Sequence, residues 1–353
     1  MKNILIENNE KTTSEIIIEN DLSKSIQDFF EDKKYFLITN STLAKLYPEF
    51  IYKFNKDRVI IIKDGEKYKN FKTCNEILEK LLEGKIERKD SIVAFGGGVV
   101  GDIAGYCASV ILRGVELIQI PTTLLAMCDS SIGGKTGFNT KFGKNLIGTF
   151  YLAKKVLIDP MFLSTLDETN YKCGLGEVLK YAFIEKSCKN KEFFDLIDFL
   201  TVNQTKDVRN EMPYIISCCA SLKANVVSLD KKEGGLRKVL NFGHTFAHPL
   251  ETLSNYKKIS HGEAVSYGIK YASKLSYALN KIDEEYFNKI NSLLNKFELT
   301  NKKIKFKKRK IIELMTHDKK VVNGKINLLL PTAPREVELF DNIEVPSLEA
   351  CLP

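Results

Sequence analysis

Residues 91–105 read SIVAFGGGVVGDIAG. A short apolar run ends in three glycines, and Gly96, Gly98 and Gly101 satisfy a GxGxxG spacing. A strand that is apolar on both faces is buried on both faces, as in a parallel sheet covered by helices above and below. Glycines at its end let a backbone approach a pyrophosphate, whose charge then meets the amides that open the next helix. From the glycines alone three readings stay open: a dinucleotide turn, a site for another phosphate, or a structural turn. Glu116 lies at about the expected distance of 20 residues for a ribose-binding acid, but it starts a strand rather than ending one. The lysine–serine pair of a P-loop is absent.

Working outward, the first half alternates strand and helix signals. EIII (15–18), YFLIT (35–39), RVIIIK (58–63) and LIQI (117–120) read as strands, while residues 22–31 and 72–84 read as helices. Asn40-Ser41-Thr42 suits the cap of a further helix. From about residue 165 the periodic segments become long (174–187, 204–226, 242–255, 262–279, 284–295), and only INLLL (326–330) still reads as a strand. The expected fold is a Rossmann-like α/β N-terminal domain with a parallel sheet, residues 1–163, followed by a mainly α-helical C-terminal domain, residues 164–353. The natural place for a site is the cleft between such halves.

The 353 residues are 44% hydrophobic and 28% charged, which excludes disordered and fibrous classes. No run approaches the roughly 18 apolar residues of a membrane span, and the first residues lack the core of a signal peptide. A cytoplasmic protein without membrane contact is expected. The eight cysteines form no CxxC pair and read as small buried hydrophobes in a reducing compartment. KKIKFKKRK (302–310) supplies most of the net charge of +8. It reads as a solvated strand or connector, since no nucleic-acid-binding signature accompanies it, and no nucleic-acid partner is expected.

Histidine is scarce: His244, His248, His261 and His317 are the only four. Three cluster in NFGHTFAHPLE and SHGEAVSYG, with His244 and His248 at i,i+4 on one helix face. Neutral imidazoles suit zinc or a similar divalent ion, and a carboxylate commonly completes such a site. Spacing does not choose which histidines ligate. Glu177 and Lys180 of CGLGEVLKYAF are a candidate third ligand and its neighbour, although such a pair is usually a surface pair worth little. DSSIGGKTGFNTKFGKN (129–145) and residues 223–241 supply Asp129, Lys135, Lys144, Asn145, Lys223, Glu233, Arg237 and Asn241, and Arg113 ends ILRG. This density of cations among polar residues suits the carboxylate or phosphate groups of a small hydroxylated substrate.

GGGVVGDIAGYCASVILRG, IPTTLLAMCDSSIGGKTGFNTKFGKNLIG, CGLGEVLKYAFI, DKKEGGLRKVLNFGHTFAHPLE, HGEAVSYG and HDKKVVNGKINLLLP, with DGEKYK upstream, closely resemble the 3-dehydroquinate synthase family of sugar-phosphate cyclases. The resemblance spans about residues 64–331 in matching order. It implies that Glu177, His244 and His261 hold one divalent metal ion, Zn2+ or Co2+, with His248 a non-ligand histidine near the phosphate. It implies an NAD+ site on Glu66, Lys69, Gly97, Gly98, Asp102, Thr122, Thr123, Lys144 and the 162–165 loop with Phe162 and Thr165. Substrate contacts fall on Arg113, Asp129, Lys135, Asn145, Lys180, Lys223, Arg237, Asn241 and Lys319 or Lys320. Glu233 matches a proton acceptor, and Glu233, His248, Lys135, Asn145 and Lys180 form the implied catalytic group. The implied substrate is a heptulosonate phosphate, and the implied assembly is a homodimer. By resemblance the domains divide the work, with NAD in the first and metal and substrate in the second.

The family converts 3-deoxy-D-arabino-heptulosonate 7-phosphate to 3-dehydroquinate and phosphate, by transient oxidation, phosphate elimination, reduction and intramolecular aldol closure. Departures from its pattern are Asp167-Glu168-Thr169-Asn170 after Thr165-Leu166, Met127-Cys128, and Ala247 and Pro249 around His248. A related cyclase with another sugar phosphate and a metal- and NAD-dependent polyol dehydrogenase are the rival readings.

Overall fold

Ile92, Val93, Ala94 and Phe95 are at most 2% exposed, because their strand lies inside a seven-stranded sheet. Its strands are β1 (Lys2–Ile6), β2 (Ser14–Ile18), β3 (Tyr35–Asn40), β4 (Val59–Ile62), β5 (Ser91–Gly96), β6 (Glu116–Pro121) and, after a hairpin of β7 (Lys135–Thr140) and β8 (Gly143–Phe150), β9 (Lys155–Ile158). The order is β1-β2-β9-β6-β5-β3-β4. Every neighbouring pair is parallel except β1 with β2 at one edge. The chain leaves β3 toward β4 and leaves β5 in the opposite direction toward β6. The direction therefore reverses between β3 and β5, and ligands of such sheets bind outside the strand carboxyl ends at that crevice. The glycine turn ends β5 at this switch point. It leads into α2 (Gly98–Val110), which follows α1 (Phe71–Glu83).

This computed structural model describes residues 1–7, 14–29, 33–254, 258–303, 306–317, 321–322 and 325–353. They fall into two units, Met1–Asp167 and Glu168–Pro353. The break thus lies a few residues beyond the expected 163/164.

The second unit is built on helices α3 (Glu168–Phe183), α4 (Met212–Leu229), α5 (His244–Leu253), α6 (His261–Ala278) and α7 (Glu284–Lys296). A small antiparallel sheet joins β10 (Val321–Val322), β11 (Lys325–Ala333) and β12 (Glu336–Ile343). Ser260 and Glu263 start α6 with a reciprocal capping box. Among the described residues, α4 alone has the length and composition of a membrane span, but 67% of it is buried within the protein. It is the core helix of its unit.

Several elements differ from expectation. The single helix expected over 204–226 breaks at Glu211, because Pro213 sits in the first turn of α4 and favours a helix start. The helix expected over 22–31 is a turn of α-helix, Leu22–Ser25, followed by a 3-10 turn, Ile26–Phe29. Residues 135–145 of the polar segment 129–145 lie in the β7/β8 hairpin. A Cβ on Gly148 would lie 2.0 Å from the Thr136 carbonyl oxygen, and Gly137 and Gly148 face each other in register. These glycines permit close strand pairing. Part of the basic run is helical, since Lys308–His317 forms a helix; residues 304–305 lie outside the described residues. None of the eight cysteines is in a disulfide, and all but Cys173 are buried.

Candidate active site

Three helix segments of the second unit bring a carboxylate and two imidazoles together. Glu177 lies mid-way along α3, while His244 and His261 are the first residues of α5 and α6. One ligand atom of each lies within 4.8 Å of the others. Glu177 Oε1 is 3.6 Å from His244 Nε2 and 3.4 Å from His261 Nε2. A glycine adjoins each of the three. A Cβ on Gly176 would stand 2.3 Å from the Gly262 carbonyl oxygen, and one on Gly262 would stand 1.9 Å from that of Cys173. Gly243 has φ +80, and its Cβ would meet the Val265 carbonyl oxygen at 2.8 Å. The helix backbones touch where the ligands sit, and no other residue fits these places.

Both imidazoles turn Nε2 toward Glu177 because Nδ1 is engaged elsewhere. His244 Nδ1 faces the Phe242 carbonyl at 3.2 Å, and His261 Nδ1 faces Glu251 Oε1 at 3.4 Å. Burial pushes His244 well below the ordinary imidazole value, against the pull of Glu177. Burial also acts downward on His261, but hydrogen bonds to Glu177 and Glu251 outweigh it and hold that ring well above its ordinary value. Two carboxylates thus flank the His261 ring, Glu177 at Nε2 and Glu251 at Nδ1. A carboxylate with two imidazoles is the donor set of catalytic zinc sites, and these residues fit such an ion.

Glu177 and Lys180 are not the surface pair that isolated spacing favours. Both side chains are buried, and the Lys180 ammonium is ion-paired to Glu177 Oε2. Lys223 on α4 and Arg237 on the turn Leu236–Asn241 are buried as well. Arg237 donates to the Lys231 carbonyl at 2.6 Å. Asn241 donates to Glu233 Oε1 at 2.5 Å, and Glu233 is held at φ 63. Asp230 fixes the intervening loop by accepting the amides of Gly234, Gly235 and Arg237 at 3.0, 2.7 and 3.0 Å. His248 is exposed beside the cluster, its ring 5.7 Å from that of His244. Pro249 lies inside α5, so it removes one helix amide without ending the helix.

The first unit gathers a different group. Lys69, 5% exposed, is ion-paired to Asp102 and donates to Asn145 Oδ1 at 2.6 Å. Asn139 donates to Glu66 Oε1 at 2.7 Å and accepts the Asn145 amide at 3.1 Å. Gly97 is the N-cap of α2 with no side-chain acceptor on its first amides, and a Cβ there would meet Thr123 Cγ2 at 2.9 Å. These amides at a parallel-sheet switch point fit a pyrophosphate. Thr122 is buried, Lys144 is half-buried, and Asp129 ends the turn Ala126–Ser130 half-buried. Lys135 and Arg113 are exposed. Arg113, Asn145 and Glu233 have positive φ, as do eight other non-glycine residues among those described.

Phe162 is 3% exposed inside a ring cluster with Tyr47, Phe50 and Phe95, at centroid distances of 5.1, 6.0 and 5.2 Å. Its side chain packs into that aromatic cluster. Thr165 is tied to the Tyr47 hydroxyl at 2.5 Å. Glu116 is bound to Lys33, Lys154 and Ser91 at the start of β6, away from the strand carboxyl ends. Lys319 and Lys320 lie outside the described residues. Sequence reasoning missed Glu251, Asn139 and the glycines beside the ligands. The seven-residue spacing of His244 and Glu251, two helical turns, was the available signal for the first.

The 3-dehydroquinate synthase N-terminal family model matches residues 59–173, and the C-terminal model of the same family matches residues 174–321. The chain belongs to the 3-dehydroquinate synthase family. A 3-dehydroquinate synthase of Campylobacter hominis is 41% identical over 311 residues, 87% of this chain and 88% of its own. Among solved structures, a 2-deoxy-scyllo-inosose synthase complexed with carbaglucose-6-phosphate, NAD+ and Co2+ is 25% identical and aligns with a TM-score of 0.87, over 99% of each chain. The 2-epi-5-epi-valiolone synthase of Streptomyces hygroscopicus with NAD+ and Zn2+ bound is 23% identical with a TM-score of 0.83, over 96% of this chain and 95% of its own. The fold is shared with synthases of other products and, at a TM-score of 0.64, with a probable glycerol dehydrogenase of Sinorhizobium meliloti, whereas the family models and the higher identity belong to dehydroquinate synthases.

Proposed function

We infer that this chain is a lyase that converts 3-deoxy-D-arabino-heptulosonate 7-phosphate to 3-dehydroquinate and phosphate, the second step of the shikimate route to aromatic amino acids. The observation that carries the reading is the Glu177–His244–His261 cluster, its carboxylate buried and ion-paired to Lys180, in a chain whose family matches run from residue 59 to 321. We propose that Glu177, His244 and His261 hold Zn2+ or Co2+, and that the glycine turn with Lys69 and Asp102 holds NAD+. When bound, these groups supply Lewis acidity and a hydride acceptor restored within each turnover.

The chain's own residues bind, orient and move protons. Lys180, Lys223 and Arg237 are buried cations on fixed elements, so the substrate carboxylate and phosphate meet charges whose desolvation was met on folding. Asn241 donates to one oxygen of the Glu233 carboxylate, which orients that group as a proton acceptor. The exposed His248 imidazole is placed beside the metal cluster to exchange a proton near the leaving phosphate. In the first unit, Lys69 bridges Asp102 to Asn145, coupling the order of the dinucleotide site to that of a substrate contact. A homodimer in the cytoplasm is also proposed, on the family likeness.

The test follows phosphate, dehydroquinate and 340 nm absorbance together, using metal-loaded protein and catalytic NAD+. Equal phosphate and dehydroquinate, lost on chelation and with no accumulating NADH, is the expected result. Net NADH would indicate a dehydrogenase. Absence of turnover by folded, metal- and NAD-loaded protein would refute the substrate assignment.

A further inference from the structure

Glu251 is a buried carboxylate, 5% exposed, that the reaction above does not use. It lies on α5 two helical turns after His244, so the same face of one helix carries a candidate ligand and this acid. Its Oε1 stands 3.4 Å from Nδ1 of His261, which belongs to α6, while Nε2 of that ring stands 3.4 Å from Glu177. The two candidate ligand imidazoles are therefore supported differently. His244 leans on a neutral backbone carbonyl, that of Phe242, and His261 leans on a carboxylate. Among the described residues, the cluster offers a divalent ion one carboxylate ligand, Glu177.

We propose that Glu251 is the positioning residue of the metal centre: it fixes the His261 ring with Nε2 directed at the ion and adds, through that ring, a second negative charge to that of Glu177. A carboxylate accepting the Nδ1 proton fixes the tautomer and makes Nε2 a stronger donor. The acid also couples two ligand helices, because α5 carries both His244 and the group that orients His261. The inference rests on the metal reading of the site.

The experiment compares wild type, Glu251→Gln, Glu251→Ala and Glu177→Gln by Zn2+ competition against a chromogenic chelator. The visible spectrum of the Co2+ form and the melting temperature with and without Zn2+ are recorded alongside. The expected result is a weakening of Zn2+ affinity by about 10- to 100-fold for Glu251→Ala. Glu251→Gln should fall between it and wild type, since a carboxamide oxygen still accepts the Nδ1 proton but carries no charge. The Co2+ spectrum should change in both variants while metal-free melting of the near-isosteric Glu251→Gln stays close to wild type. Zn2+ affinity and a Co2+ spectrum equal to wild type in Glu251→Gln and Glu251→Ala would overturn the proposal. Should Glu251→Ala fail to fold, the same comparison on Glu251→Gln decides. Failure of the wild type itself to bind Zn2+ or Co2+ would instead refute the metal reading, and Glu177→Gln marks how far affinity falls when a ligand is lost.

Discussion

Replacing Gly262 by alanine tests whether backbone contact between helices sets the metal geometry. The added carbon would lie 1.9 Å from the Cys173 carbonyl oxygen on α3. Ordinary carbon–oxygen contacts begin at about 3.3 Å, so α3 and α6 must part by roughly 1.4 Å. Overpacking of a well-filled interior costs about 1–3 kcal/mol, and backbone cannot rotate away as a side chain can. Gly262 adjoins His261, and Glu177 lies one turn beyond Cys173 on α3, so the displacement acts directly on the separation of 3.4 Å between Glu177 and His261. A binding constellation tolerates only about 0.5 Å. The variant should therefore lose metal affinity by more than tenfold and also melt earlier in its metal-free form. Chelator competition and thermal melting with and without Zn2+ measure both. A Gly262→Ala protein that binds Zn2+ like wild type, with unchanged melting, would refute the argument that glycine contacts place the ligands.

Phe162→Ala should cost about 3–4 kcal/mol by urea unfolding, with NAD+ affinity of the folded protein little changed; a large loss of affinity without loss of stability would return Phe162 to the binding surface. Lys69→Met removes the partner of Asp102, and breaking a buried ion pair costs about 3 kcal/mol; NAD+ titration should show at least a tenfold weaker site, and unchanged binding would dissociate this pair from the dinucleotide. Asp230 titrates below its ordinary range: partial burial acts upward, but the amides of Arg237, Gly235, Gly234 and Glu233 outweigh it. A depressed carboxyl stabilises the fold above its unfolded value and loses that contribution as pH falls through its folded value. The stability gap between wild type and Asp230→Asn should thus be near 1 kcal/mol at neutral pH and shrink below about pH 4; a gap constant from pH 7 to pH 3 would contradict this.

Much of the architecture was legible along the chain. Short apolar runs ending at Asn40 and Gly96, with amphipathic segments between, implied parallel strands and covering helices, since burial on both faces leaves that pattern. The scarcity of histidine made the cluster at His244, His248 and His261 visible, and family motifs assigned ligand roles that spacing left open. Other features had no one-dimensional signature. Gly137 and Gly148 look like loop glycines until their strands are paired. Glu177 and Lys180 look like a surface pair until α3 is seen buried along their face. Glu251 looks like any helical acid until α6 brings His261 against it.

What the sequence determined alone was periodicity, capping and the supply of reactive groups, because these depend on neighbours within a few residues. Tertiary structure decided which oxygen meets which imidazole nitrogen, and which charges are buried. Those outcomes depend on how closely helix backbones approach, and that approach is set by contacts between residues such as Cys173 and Gly262, far apart in the chain and touching in the fold.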